Sequence, residues 1–444
     1  MRSKRITRVA FLILLASGLS IIPINSAFAA ACAPSQTTSG NYIYLSFVSS
    51  SQSTTTVCDW KIPAGVSQLD LFMVGGGGAG GNRHAGGGGA GGLFETNNLS
   101  VLNVDTLTIT IGKGGTGQGD IANNPGTGPN GDTTTITKAS GTGSFTTLNA
   151  IGGGGGTSGG GSKALSGGSG GGAYDLSAGC GSVCYGSGLQ PTSATGGSGN
   201  NGAGGNGGNS SIWTAGGGGG ALTAGVAGTN SGGGNGGSGD FWNTDFTTTI
   251  AAALGLDTST ARVSGGNIYF AGGGGGGRTF NSTRSSGGLG GGGNGGANDG
   301  TLATASAANA ISNTGSGGGG SGIYGGNSGL AGSGAAGIVL IRFLRTSTAS
   351  VSLAAGDLIY RTAKNVTASA SSAGKIDFQA NGKSIAGCRN IKVSAPSYSA
   401  TCSYRPSVKS RVTITAKFTP TDSAYFAATA VSNTFNVIPR SGNR

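Results

Sequence analysis

The stretch Leu69-Asp70-Leu71-Phe72-Met73-Val74-Gly75-Gly76-Gly77-Gly78 delivers an apolar run straight into a block of glycines. The same unit returns three times. Leu148-Asn149-Ala150-Ile151 enters Gly152 to Gly156, Ile212-Trp213-Thr214-Ala215 enters Gly216 to Gly220, and Ile268-Tyr269-Phe270-Ala271 enters Gly272 to Gly277. A flexible linker gains nothing from such punctuation, whereas a fold of repeated strand-then-glycine units requires it. Gly-Asn-Gly-Gly recurs at 205–208, 234–237 and 293–296, where Asn suits turns because it tolerates left-handed backbone.

The ends of the glycine region match. Val66 to Val74 and Gly337-Ile338-Val339-Leu340-Ile341-Arg342-Phe343 both have strand composition, and we expect them to meet in one small sheet that closes the domain. Val101 to Ile111 adds a strand in which Leu107, Ile109 and Ile111 alternate with Thr106, Thr108 and Thr110. Nearly all of the 98 glycines fall between these ends. The region is almost neutral, unlike segments that compositional charge keeps disordered. Continuous helix is excluded at roughly 1 kcal/mol per Gly relative to Ala. An extended threefold helix of the polyproline II type remains, and its N–H and C=O groups must find partners on neighbouring segments once buried. Six residues at roughly 3.1 Å each span about 19 Å, a reasonable layer thickness.

The N-terminus predicts secretion. Arg2, Lys4, Arg5 and Arg8 precede an apolar core from Val9 to Leu19, and Ala27-Phe28-Ala29 fits a signal-peptidase site, which gives a signal peptide over 1–29. A retained anchor and lipidation of Cys32 stand as alternatives; Pro23 argues against the first and Ala29 against the second. No later run reaches the ~18 apolar residues of a membrane span, so none is expected after cleavage. Six cysteines in a secreted chain suggest local pairs: Cys32 with Cys58, Cys180 with Cys184, and Cys388 with Cys402.

From Thr346 the glycine blocks stop and ordinary β-patterning starts, which sets domains at 30–345 and 346–444. Val366, Ala368 and Ala370 alternate with Thr367 and Ser369; Arg411 to Phe418 alternates apolar with basic or hydroxyl residues; Thr434 to Val437 makes a last strand. Such short strands suit a β-sandwich. Residues 346–444 carry twelve basic and three acidic side chains, an excess of nine, whereas 30–345 carry ten and eleven. Lys409, Arg411 and Lys417 are therefore expected on a basic tether surface. Its partners would be anionic wall polymers or phospholipid head groups rather than nucleic acid, which a secreted protein seldom meets.

Two resemblances sharpen this. Ile62-Pro63-Ala64-Gly65-Val66, the run to Val74, the glycine blocks and the closing Gly334-Ala335-Ala336-Gly337 to Phe343 resemble the glycine-rich domain of bacterial secreted proteins. That domain is similar to the glycine-rich regions of anaplastic lymphoma kinase-type receptors and of some phage tail-fibre tip adhesins. The resemblance spans residues 40 to 345. It implies polyproline II helices in hexagonal array and binding of a protein or surface ligand. Phe378 to Lys383, Gly387-Cys388, Thr401 to Tyr404 and Phe418 to Tyr425 resemble bacterial immunoglobulin-like repeats, which implies a spacer or adhesive module. The expected fold class is mainly β: packed polyproline II-type helices closed by a small sheet, plus a C-terminal immunoglobulin-like β-sandwich.

Catalysis finds little support. His84 is the only histidine, flanked by Arg83 and Ala85, and reads as a surface-loop residue rather than a base. The aspartates are scattered singly, Gly-x-Gly-x-x-Gly matches lack a strand–turn–helix context, and no motif calls for a cofactor or metal. Tyr174, Tyr185, Trp213, Phe241, Trp242 and Phe246 offer either contact anchors at loop tips or plugs at the edges of a core. The expected function is a non-enzymatic secreted adhesin or binder of a protein or glycan ligand, its glycine domain a loop-presenting platform. A structural envelope component without a specific ligand is the alternative.

Overall fold

A computed structural model describes residues 30–63, 65–102, 105–119, 126–159, 163–174, 184–190, 197–199, 213–278, 284–298, 301–324, 327–344, 349–353, 357–370, 372–421 and 429–440. The chain is mainly β. Its organising element is the strand Ile338–Leu344, which lies between Tyr42–Val48 and Gln68–Val74 and pairs antiparallel with both. Ile338 faces Val74 on one side and Val48 on the other. The expected meeting of the two apolar ends thus occurs, with more than 260 residues of chain between them. Ser35–Ser39 and Leu93–Ser100 extend the sheet outward, and Gly197–Ser198 ends it.

Both faces of this sheet are covered, which explains why its central strands read as near-continuous apolar runs rather than alternating ones. On one face Leu45, Phe47, Leu71, Met73, Val339 and Ile341 pack against a second, antiparallel sheet. That sheet is a meander of Thr56–Lys61, Thr106–Ile111, Thr134–Ser140 and Leu148–Ala150. In Thr106–Ile111 the leucine and isoleucines are buried and the threonines half-exposed, as the alternation predicts. On the other face Tyr44, Phe72, Val74, Ile338 and Leu340 pack against Trp242, Phe246, Ile268 and Phe270. The short helix Thr248–Ala253 joins this layer, burying Ile250 and Ala251 behind an N-cap at Thr247.

Beyond the sheets the glycine segments form their own layer, and their backbone hydrogen bonds account for it. Along 75–82, successive N–H groups rotate among three neighbours. Gly75, Gly78 and Gly81 donate to Gly92, Gly89 and Gly86; Gly76, Ala79 and Asn82 to Asp132, Pro129 and Gly126; Gly77 and Gly80 to Ala335 and Gly332. The carbonyls are shared out in the same way. Gly76 and Ala79 accept from Gly153 and Gly156, Gly78 and Gly81 from Gly318 and Ser321, and Gly77 from Gly115. The segment therefore repeats every three residues and touches six neighbours. Segment 85–92 does the same, donating toward 151–157, 216–219 and 315–321 while accepting from 75–81, 169–172 and 274–277.

At most of its glycines this mesh leaves no room for a side chain. A Cβ on Gly77 would sit 1.9 Å from the Ser316 carbonyl oxygen, and one on Gly155 only 1.6 Å from that of Gly128. Buried peptide groups stay satisfied because each segment serves as its neighbours' hydrogen-bonding partner.

The C-terminal residues form a separate core. Ala349–Leu353, Lys364–Ala370 and Ser399–Tyr404 make one antiparallel sheet. Gly374–Ala380, Val412–Pro420 and Thr429–Phe435 form the body of another, with Lys383–Ser384 and Ile391–Val393 on Gly374–Ala380. Val366, Ala368 and Cys402 from the first sheet meet Ile376, Phe378, Ile414 and Phe418 from the second.

Two of the expected disulfides are present, Cys32–Cys58 and Cys388–Cys402. The first seals the segment that bridges Ala31 to Asp59, and a sulfur so bonded carries no lipid. Cys184 is disulfide-bonded, while Cys180 lies outside the described residues, as do residues 1–29 with the expected signal peptide.

Candidate functional site

Segment 75–81 runs away from the sheet and returns as 86–92 through a tight turn at Asn82-Arg83-His84. Arg83 and His84 both hold left-handed backbone, with φ of 68° and 53°. Three fixed contacts hold the turn. The Arg83 N–H donates to Ser321 Oγ at 2.8 Å, its carbonyl accepts from Gly159 N at 2.8 Å, and Asn82 Oδ1 accepts from Gly126 N at 2.7 Å.

His84 is buried at 4% exposure, contrary to the surface loop its glycine surroundings suggest. Two rings cap it. Trp213 meets the imidazole edge-on at 4.7 Å between centroids, and Tyr174 stacks on it at 6.0 Å. Trp213 is itself 39% exposed, so the cluster opens to solvent through the indole. Burial, reinforced by the neighbouring Arg83 charge, pulls the His84 pKa down to about 3. The imidazole is thus neutral at physiological pH and supplies no titrating group there.

The other aromatic candidates separate. Trp242 and Phe246 are 1% and 3% exposed and belong to the core behind the six-stranded sheet, so they are not loop-tip anchors. Their placement follows from Tyr44, Phe72 and Phe270, which present an aromatic face that only large rings fill. Phe241 pairs across a short ladder with Tyr269, at 5.2 Å. Tyr185 is half-buried beside Cys184. Two pairs of the six therefore come together: Trp242 and Phe246 in the core, 5.6 Å apart, and Tyr174 and Trp213 on His84 at the turn, at the end of the array remote from its sheet.

A polar cluster on the three central strands of the sheet escaped the sequence reading. Arg342 pairs with Asp70 at 2.7 Å and with Asp245, and Tyr44 donates to Asp245 at 2.5 Å. Arg342 also lies 4.5 Å over the Tyr42 ring. Burial and the Asp245 carboxylate push the Tyr44 hydroxyl up to about 12. These residues come from four distant parts of the chain, and no local spacing announces them. The cluster ties the 240–246 segment to the closing strand.

The three basic tether residues make different contacts. Lys417 is exposed on Val412–Pro420, opposite Asp377. Arg411 donates to Asn436 Oδ1 at 3.2 Å, and Lys409 Nζ lies 5.3 Å from the Tyr360 ring centroid. Among the described residues no group of three His, Cys, Asp or Glu side chains is placed to hold a metal, and no helix is long and apolar enough to cross a membrane.

A platform of interlocked glycine segments, closed by a β-sheet and carrying its turns at the far end, defines a class of glycine-rich β proteins. The family model described as a glycine-rich domain matches residues 51–344, more than half of the chain, and the protein belongs to that family. No curated protein matches the sequence.

Proposed function

We propose that the protein is a secreted, non-enzymatic surface binder whose glycine array is a rigid platform for the turns at its remote end. The observation that carries this reading is the convergence of Tyr174, His84 and Trp213 on a turn fixed from three directions. A ligand meeting such a surface orders few side chains, and preorganisation of this kind improves affinity by lowering that cost. Tryptophan and tyrosine are the residues best suited to anchor a protein or glycan partner there. Export is supported by the leader pattern of residues 1–29 and by the two disulfides.

We read the glycine segments as polyproline II helices on the strength of their three-residue hydrogen-bond period, which matches three residues per turn. Two antiparallel sheets around one core support an immunoglobulin-like sandwich for the tail. Its excess of nine cations supports a role as an electrostatic tether to anionic envelope polymer. The test is a binding assay of the mature chain against producing cells, purified wall polymer and matrix proteins, with Trp213→Ala alongside. Saturable binding that weakens at least tenfold in the variant, with an unchanged melting temperature, is expected. Absence of saturable binding to all three surfaces would remove the binder reading.

A further inference from the structure

The C-terminal core carries an open notch of about 330 Å³, lined by Arg361, Arg405, Pro406 and Ser407. Two hydrogen bonds stitch its walls together. The Arg361 N–H donates to the Pro406 carbonyl at 3.0 Å, and Arg405 Nε donates to the Arg361 carbonyl at 2.8 Å. Arg405 is thus anchored through one guanidinium nitrogen while its two terminal nitrogens stay free of protein hydrogen bonds among the described residues. Tyr360 forms the floor of a cationic pair beside it: Arg361 Cζ and Lys409 Nζ each lie 5.3 Å from its ring centroid.

Three cations therefore gather within one small region, and none of them forms an ion pair with a described carboxylate. Arg361 also holds φ at 56°, a left-handed conformation that disfavours any residue with a Cβ. Like charges held together by a fixed backbone disfavour the empty state and favour an anion. A guanidinium with free terminal nitrogens matches two phosphate oxygens at once, which a lysine cannot do.

We propose that this notch is a phosphodiester-binding site, with Arg405 as the two-pronged ligand and Arg361 and Lys409 as flanking charges. The inference rests on the reading of the tail as a tether and gives it a defined seat. It also divides the basic residues: Lys409 belongs to the site and Lys417, on the opposite-charged ladder position to Asp377, does not. Two sources present this chemistry, a polyol-phosphate wall polymer and an anionic phospholipid headgroup.

The experiment titrates the mature chain with synthetic poly(glycerol phosphate) and, separately, with phosphatidylcholine vesicles containing phosphatidylglycerol, by calorimetry. Arg361→Gly, Arg405→Gln and Lys417→Gln are compared; each removes one charge, and glycine keeps the backbone of position 361 without strain. Saturable binding is expected, weakened at least tenfold by the first two variants and less than twofold by Lys417→Gln. Binding to polymer alone assigns the phosphate to the wall, and binding to vesicles alone assigns it to lipid. Equal losses in all three variants, or no saturable binding to either probe, would overturn the site. The tether reading fails separately, if cell association of the mature protein is unchanged in Arg361→Gly while its affinity for the probe has fallen.

Discussion

At the scale of the residue, the array turns glycine from a flexible element into a requirement. Gly77→Ala places a methyl group inside the Ser316 carbonyl, and backbone on both sides cannot yield without breaking hydrogen bonds to other segments. We expect that variant to lose roughly 3 kcal/mol or more, the upper end of the overpacking range, as read by urea unfolding. Gly40 is the contrast: it has φ of 56° and nothing lies within 4 Å of the place a methyl group would take, so Gly40→Ala is expected to cost only about 1 kcal/mol. His84 gives a pH signature. Its folded pKa of about 3 lies below the usual 6.5. Below pH 6.5 the unfolded chain takes up a proton that the folded imidazole refuses, so stability falls with pH through that window by about 1.4 kcal/mol per unit. His84→Phe, which retains ring contacts, should flatten the fall; comparison of urea midpoints at pH 7 and pH 5 checks it.

Among the elements, the closing strand bears the heaviest load because both of its faces are buried. Ile341 is fully buried against the second sheet, and Ile341→Ala should lower stability by about 2–5 kcal/mol in thermal or urea unfolding. Reducing Cys388–Cys402, whose residues are 14 apart, should cost the C-terminal core about 3 kcal/mol, seen as a lowered melting transition under mild reductant. These strands were legible in the sequence, since the apolar runs Gln68–Val74 and Ile338–Leu344 and the alternation over Thr106–Ile111 announce them directly. The helix Thr248–Ala253 was not. Its six residues are too few to announce a helix despite three alanines, and its stability comes from the aromatic layer it packs against. The site was half legible for a related reason. Residue type marked Trp213 and Trp242 equally, and only tertiary packing separates an exposed indole from a buried one.

On the scale of the whole molecule, the pairing of Ile338–Leu344 with Gln68–Val74 joins the two ends of the glycine domain. Contacts of such sequence separation belong to slow-folding topologies. Segments 75–82 and 85–92 each exchange hydrogen bonds with six others, so opening either one exposes donors and acceptors on all of them. Amide exchange of Gly75 to Gly92 should therefore occur only through global unfolding, with protection equal to that of the sheet; fast exchange there would contradict a packed array.

The three-residue period of segments 75–82 and 85–92 also sets a grammar for how such a chain changes length. One glycine added to a segment rotates every later peptide by a third of a turn and aims each N–H at the wrong neighbour. Three glycines restore the facing and lengthen the column by a single turn at its loop end. Viable insertions and deletions in this family should accordingly come in triplets of residues, and the gene's glycine tracts should grow and shrink in steps of nine nucleotides.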